Sequence, residues 1–248
     1  MPRNERILRL SGRIQTYTDA RPGNAVIRVT GGEDISVVAP EKWMKGWDTL
    51  YRKMLEASDD ELAHIEVGHV PQQLARAIQV SGLKPEGMEI LELACGDGSV
   101  ACYFGKIGCR VTGIEALSSA IGVANRRKRA LSIEDSVSFE SGDIRTYVLE
   151  PDKYDIIIAL QCLQYLFDDA IPRLLDITAA IKPGGFLAYS GNILPHFPTD
   201  PPMHFITKED LFRTLESWTF HSFGTDEILN KPDDLRGYVW TVARKPLA

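Results

Sequence analysis

From position 88 onward the chain alternates apolar, strand-length runs with helix-length amphipathic segments, and few folds accommodate that pattern. Tyr154–Leu160 (YDIIIAL) is nearly all apolar, as a strand must be when helices cover both faces of its sheet. Ahead of it, 88–93 (MEILEL), 110–114 (RVTGI) and Val137–Ser141 read as three further strands. The segment after the first strand reads as a helix reaching position 107, and 118–131 as a helix opened by a hydroxyl cap. Residues 168–181 read as a helix stopped by Pro183-Gly184-Gly185, with 186–190 as the fifth strand. Such alternation implies an α/β, doubly wound parallel sheet with right-handed crossovers.

Both ends of the chain depart from this rhythm. Four short β-like runs, 7–10, 14–17, 25–29 and 35–38, make residues 1–40 a small β-rich appendage. Residues 41–55 and 71–80 read as helices, so 41–87 is a helical cap leading into a core domain at 88–248. Residues 191–206 hold four prolines and two histidines and read as a loop. Thr207 with Asp210 opens a helix, and 219–228 and Gly237–Arg244 form two closing strands, an ending unusual for a dehydrogenase domain.

The composition is that of an ordinary globular chain, 44% hydrophobic and 25% charged. No apolar run approaches a membrane span, and the first residues lack the apolar block of a signal peptide, so the expected location is the cytoplasm with no membrane partner. A net charge of −6 speaks against a nucleic-acid partner. The one basic cluster, Arg126-Arg127-Lys128-Arg129, reads as a solvated helix face near a C-terminus. Cys95, Cys102, Cys109 and Cys162 lack paired spacing and read as reduced core thiols; no metal site is expected, and His64 with His69 lacks a third ligand.

Chemistry concentrates in Glu92-Leu93-Ala94-Cys95-Gly96-Asp97-Gly98, between the first core strand and its helix. Glycines serve such a turn where the backbone bends sharply or approaches a ligand, and the helix start offers free N–H groups. Glu115 follows 23 residues after Glu92, at the end of the second strand, where a carboxylate can accept from both hydroxyls of a ribose. Glycine turn and strand-end acid together point to a nucleoside.

The ordered set ILELACGDG, VTGIEAL, SGDI, YDIIIALQCLQYL and IKPGGFL resembles the motifs of class I S-adenosylmethionine-dependent methyltransferases over 88–248. The resemblance implies a Rossmann-like, seven-stranded sheet of order 3-2-1-4-5-7-6 with strand 7 antiparallel and helices on both faces. It implies S-adenosyl-L-methionine as cofactor and S-adenosyl-L-homocysteine as product. Glu92, Gly96 and Gly98, with Ala94 and Cys95 in the same turn, correspond to the motif holding the methionine end, and Glu115 with Ala116 to the ribose site. Asp143 and Ile144 correspond to the adenine contacts, and Leu160 and Gln161 to the methionine side beyond strand four. Ala94 stands where a glycine is commonest, and an ordinary φ is expected there. Residues 154–216 look most like the tellurite-resistance, TehB-type branch, which methylates metalloid oxyanions or other soft nucleophiles.

On the acceptor side, an activated sulfonium needs chiefly an aligned acceptor, and a base only if the attacking atom still carries a proton. Trp43, Trp47 and Tyr51 recur at helical spacing, a stripe that suits helix core, and Tyr51 is the member expected at the cofactor. Candidate catalytic groups are Tyr165, where several relatives have a histidine, and His196 and His204 of the proline-rich loop. The expected activity is in-line methyl transfer to a small-molecule acceptor, by a monomer or homodimer. Alternatives are TehB-like methylation of tellurite, selenite or thiols, a nicotinamide dehydrogenase, and a non-catalytic cofactor-binding subunit. Residues 1–40 are expected to serve as a docking surface, dimer arm or lid.

Overall fold

The computed structural model describes residues 5–10, 13–21, 24–29, 40–192, 204–227 and 237–247. The β-like run at 35–38 lies outside the described residues. Near the start, β1 (Glu5–Leu10), β2 (Arg13–Arg21) and β3 (Asn24–Val29) pair as a three-stranded antiparallel sheet. Three helices follow: α1 (Pro40–Met54), α2 (Asp59–Ala63) and α3 (His69–Val80). The core then runs β4 (Glu89–Leu93), α4 (Ser99–Lys106), β5 (Arg110–Glu115), α5 (Ser118–Ala130), β6 (Val137–Ser141) and β7 (Tyr154–Leu160). A 3-10 segment (Leu163–Asp169), α6 (Ala170–Ala180), β8 (Ile181–Asn192), α7 (Lys208–Thr214), β9 (Thr219–Glu227) and β10 (Gly237–Arg244) complete it.

The seven-stranded sheet has the order β6-β5-β4-β7-β8-β10-β9, the 3-2-1-4-5-7-6 arrangement. Strands β4 to β8 run parallel, and β10 is antiparallel to both β8 and β9. Period-two alternation along each strand builds two apolar layers. Ile90, Ile156, Ile158, Phe186, Ala188 and Val242 face Leu74, Ile78 and Phe104 of α3 and α4. Leu91, Leu93, Ile157, Leu187, Tyr189 and Val239 face Leu174, Ile177 and Leu211 of α6 and α7. A strand buried on both faces has no position for a polar residue except where it emerges, so acids at the carboxyl ends of β4 and β5 are placed for function rather than packing.

Two local expectations are overturned. The hydroxyl of Ser118 does not cap α5: the N-cap is Leu117, which makes no side-chain cap bond, and its amide donates to Glu115 Oε1 at 2.9 Å. Glu115, two residues before the N-cap, accepts from the N-cap amide instead. Pro183-Gly184-Gly185 does not separate helix from strand, because β8 already begins at Ile181 and runs through the three residues. Its pairing with β7 slips there, from Tyr154 opposite Ile181 to Ile156 opposite Phe186, so the turn is absorbed as a bulge. Thr207 and Asp210 form the expected capping box on α7, and Ser58 with Glu61 forms a second on α2, which the apolar pattern did not reveal. All four cysteines are free and buried, and burial pushes the thiols of Cys102, Cys109 and Cys162 up to about 12.

Candidate cofactor site

Glu92 and Glu115 emerge at the carboxyl ends of adjacent strands, with Glu92 opposite Gly113 in the parallel ladder. Between them the chain turns through Ala94–Gly98 into α4. Gly96 and Gly98 have φ of +56° and +73°, values a side chain adopts only at a cost. A Cβ on Gly96 would lie 2.6 Å from the Tyr51 hydroxyl, and one on Gly98 would lie 2.6 Å from the Phe139 ring. The turn is therefore bare backbone with α1 resting against it.

Ala94 has φ of +52°, contrary to the ordinary value expected from its sequence. The path of the turn dictates that dihedral, and alanine adopts it at about 1–2 kcal/mol. Gln161, leaving β7, has φ of +55°. Its amide donates to Ser190 O at 2.8 Å and its Nε2 donates to Ser190 Oγ at 3.3 Å, so neighbouring β8 holds the strained exit in place.

The two acids differ electrostatically. Glu115 is buried and already accepts from the Gly96 amide at 3.0 Å through Oε2 and from Leu117 through Oε1. Each oxygen keeps lone-pair capacity for a ribose hydroxyl. Glu92 is equally buried and its carboxyl accepts from the Ala101 amide, but its Oε2 has no hydrogen-bond partner among the described residues. Burial pushes its carboxyl up to about 8, with the negative charge of Asp97 adding to the rise. A buried carboxyl with one free oxygen beside a bare glycine turn fits the ammonium of a methionine moiety, which would supply the missing donor and charge. The residues present therefore fit S-adenosylmethionine.

The loop carrying Asp143 is tied to the β5 end by the Gly142 amide, which donates to Glu115 O at 3.0 Å. Asp143 is 53% exposed, accepts from the Arg145 amide at 2.8 Å and faces the Arg145 guanidinium at 4.0 Å. Ile144 and Cys95 are buried, Leu160 is half-buried, and Ala116 is exposed.

An aromatic bridge crosses from α1 to the exit of β7. Trp47 stacks on Tyr51 at 6.2 Å, and hydrogen-bonds with its indole to the hydroxyl of Tyr165. Burial raises the Tyr165 phenol above its ordinary value, so at neutral pH it is a hydrogen-bonding group and not a phenolate base. Burial, reinforced by Glu115, raises Tyr51 likewise. The side chain of Trp43 and the whole of His196 lie outside the described residues. His204 is buried, and neither ring nitrogen has a partner among the described residues. His69 packs edge-on to Trp240 and His221 leans on Phe186, so both are packing residues.

Sequence reasoning missed Arg127. Read there as part of a solvated face, it is 5% exposed and bonds to Asp97 of the glycine turn and to the end of α2. Nothing in a basic run distinguishes its one inward member; only the helical position, one turn after buried Val123, carried the signal.

Sheet order, bare turn and paired strand-end acids define a Rossmann-like class I methyltransferase fold. Residues 90–185 match the methyltransferase-domain family. Curated relatives include a ubiquinone biosynthesis O-methyltransferase of Burkholderia thailandensis, 29% identical over 42% of this chain and 44% of its own length. Methyltransferase GfsG of Streptomyces halstedii is 31% identical over 53% of this chain and 46% of its own. The matches thus span a little under half the length of these relatives. Among solved structures, the cyclase SpnF superposes with a TM-score of 0.62 at 15% identity, over 88% of this chain and 100% of its own. Magnesium protoporphyrin IX methyltransferase of Synechocystis, solved with S-adenosylhomocysteine, gives 0.56 at 14% identity, over 81% and 94%. At such identities the superpositions establish fold. No described helix is long and apolar enough to cross a membrane.

Proposed function

We propose that this chain transfers a methyl group from S-adenosylmethionine to an uncharged small molecule, with oxygen as the attacking atom. The observation that carries the cofactor side is the pair of buried strand-end acids, one holding the glycine turn and one with an oxygen that finds no partner among the described residues. Bound there, the cofactor supplies an electrophilic methyl on a sulfonium. Glu92 would hold the methionine ammonium, Glu115 the ribose hydroxyls, and Asp143 and Ile144 the adenine. Leu160 and the backbone at Gln161 would line the methionine side.

The acceptor side is argued from charge. The Trp47–Tyr51–Tyr165 bridge offers aromatic faces and hydrogen bonds. Several described guanidinium groups are engaged with protein partners: Arg52 on Asp48, Arg126 and Arg127 on α2 and its flanks, Arg145 on Asp143 and Asp169. A metalloid oxyanion or carboxylate needs a cation to offset its desolvation, whereas a phenol needs only an apolar slot and one polar contact. The names of the curated relatives add support for oxygen. Tyr165 would orient the acceptor by hydrogen bonding, and the aromatic wall would exclude water.

The test is S-adenosylhomocysteine release by the purified chain with phenols, alcohols, thiols, carboxylic acids, tellurite and selenite. Turnover with a neutral hydroxyl compound is expected. Turnover with tellurite or selenite instead would favour the TehB-type reading. Tight S-adenosylhomocysteine binding without turnover on any of them would favour a cofactor-binding partner, and exclusive stabilisation by a nicotinamide cofactor would overturn the proposal.

A further inference from the structure

The guanidinium of Arg127 makes four hydrogen bonds while almost wholly out of water. Two reach the glycine turn: Nε donates to Asp97 O at 3.1 Å and Nη2 to Asp97 Oδ2 at 2.7 Å. The other two leave Nη1 for the carbonyls of Leu62 at 2.6 Å and His64 at 3.0 Å, at the end of α2. Asp97 in turn accepts from the Ser99 amide at 3.1 Å and its hydroxyl at 2.9 Å, fixing the start of α4. One planar fork therefore grips the turn, the helix that leaves it, and a segment more than sixty residues away in sequence.

Segment 48–64 is fastened to α5 at other points that do not touch the turn. Arg126 donates to Leu55 O at 2.6 Å, Ala57 O at 2.9 Å and Asp59 Oδ1 at 2.6 Å, and Ser119 Oγ donates to Asp48 at 2.6 Å. Segment 48–64 also carries Tyr51, whose hydroxyl meets Gly96. The α1–α2 segment thus behaves as a cover, and the turn it covers shares a buried charge with it.

We infer that Arg127 is a positioning residue that makes docking of the α1–α2 cover and the shape of the Ala94–Gly98 turn a single event, so that a ligand at the turn tightens α2 without touching it. The inference rests on the cofactor reading of that turn. A guanidinium cannot satisfy Asp97 while its remaining donors sit unpaired in the interior, so losing the α2 carbonyls loosens the grip on the turn, and the reverse.

The experiment is amide hydrogen exchange with and without saturating S-adenosylhomocysteine. In the wild type, the nucleoside is expected to slow exchange at least tenfold both at 95–99 and at 59–66. In Arg127→Met, 95–99 is still slowed at saturation but 59–66 is not, affinity falls at least tenfold, and kcat with saturating cofactor stays within about twofold. Arg127→Lys keeps the charge for Asp97 but not the fork, so it recovers affinity in part and leaves 59–66 uncoupled. Should Arg127→Met not fold, Asp97→Asn reads the same coupling from the other end, with a smaller loss. Persisting protection of 59–66 in these variants, or none in a wild type that binds, overturns the inference alone. A wild type that does not bind S-adenosylhomocysteine overturns the reading of the turn, and the inference with it.

Discussion

The Gly96 amide donates to Glu115 Oε2 at 3.0 Å, so the acid at the end of β5 holds the glycine turn leaving β4 before any ligand arrives. The residue proposed above to hold the ribose is also a strut of the turn. Glu115→Ala is therefore expected to do two things. Loss of a charged acceptor weakens S-adenosylhomocysteine binding by about 1.5–3 kcal/mol, roughly ten- to 150-fold. Loss of the acceptor for the Gly96 and Leu117 amides also lowers the stability of the cofactor-free chain by about 1–2 kcal/mol. Calorimetric titration and urea unfolding separate the effects, and Glu115→Gln should recover part of the second. Unchanged stability would remove the strut; unchanged affinity would remove the ribose contact.

Glu92 sets the pH behaviour. Its carboxyl, pushed up to about 8 by burial, keeps its proton in the folded chain at pH values where the unfolded chain has released it. Stability of the cofactor-free protein should then fall as pH rises from about 4.5 to 8, by at most about 1.4 kcal/mol per pH unit. An ammonium beside Glu92 favours the carboxylate, so cofactor binding at pH 7 should release close to one proton. Titration in buffers of different ionisation enthalpy measures that number. Glu92→Gln should flatten the pH slope and abolish the release; a slope that survives the substitution belongs to another group.

Ala94 and Gly96 occupy one turn with nearly the same positive φ, +52° and +56°, but only one of them is a glycine. Relief of the left-handed strain in Ala94→Gly, about 1–2 kcal/mol, exceeds the entropy glycine adds to the unfolded chain, about 0.5–1 kcal/mol. A net gain of roughly 0.5 kcal/mol is expected, seen as a small rise in Tm. Gly96→Ala should go the other way by about 1–2 kcal/mol, and Tyr51→Phe in the same chain should recover only the part due to the hydroxyl that meets the new Cβ. Equal stability of Ala94→Gly and wild type would mean that the turn relaxes around alanine at no cost.

What the sequence made legible is what depends on neighbours along the chain. The nearly all-apolar run of β7, the closing pair β9 and β10, the capping box on α7 and the Glu92–Gly98 turn are each written within a few residues. They carry the resemblance that implies the sheet order, and that order is the one observed. Features formed by distant partners were not legible. Arg127 is buried because carbonyls at Leu62 and His64 come to meet it, and Trp47 reaches Tyr165 because α1 folds back over the sheet. The dihedral of Ala94 was misjudged for a related reason: residue type gives a preference, whereas the path between β4 and α4 gives a requirement.

His204 offers a choice between packing and chemistry that one substitution resolves. Its ring is buried, and neither nitrogen finds a partner among the described residues, an arrangement that costs desolvation without return. If the ring only fills space between β8 and α7, His204→Leu replaces an unsatisfied polar group by an apolar one of similar size, and stability should hold or rise by about 1 kcal/mol. If the ring instead waits for the acceptor, one nitrogen gains its partner only when the acceptor binds. The same variant would then keep its fold and its affinity for S-adenosylhomocysteine, yet lose methyl transfer at least tenfold. Unfolding curves and turnover on one preparation give both numbers. Stability and rate both unchanged would assign His204 to packing and leave Tyr165 as the described polar group of the acceptor wall.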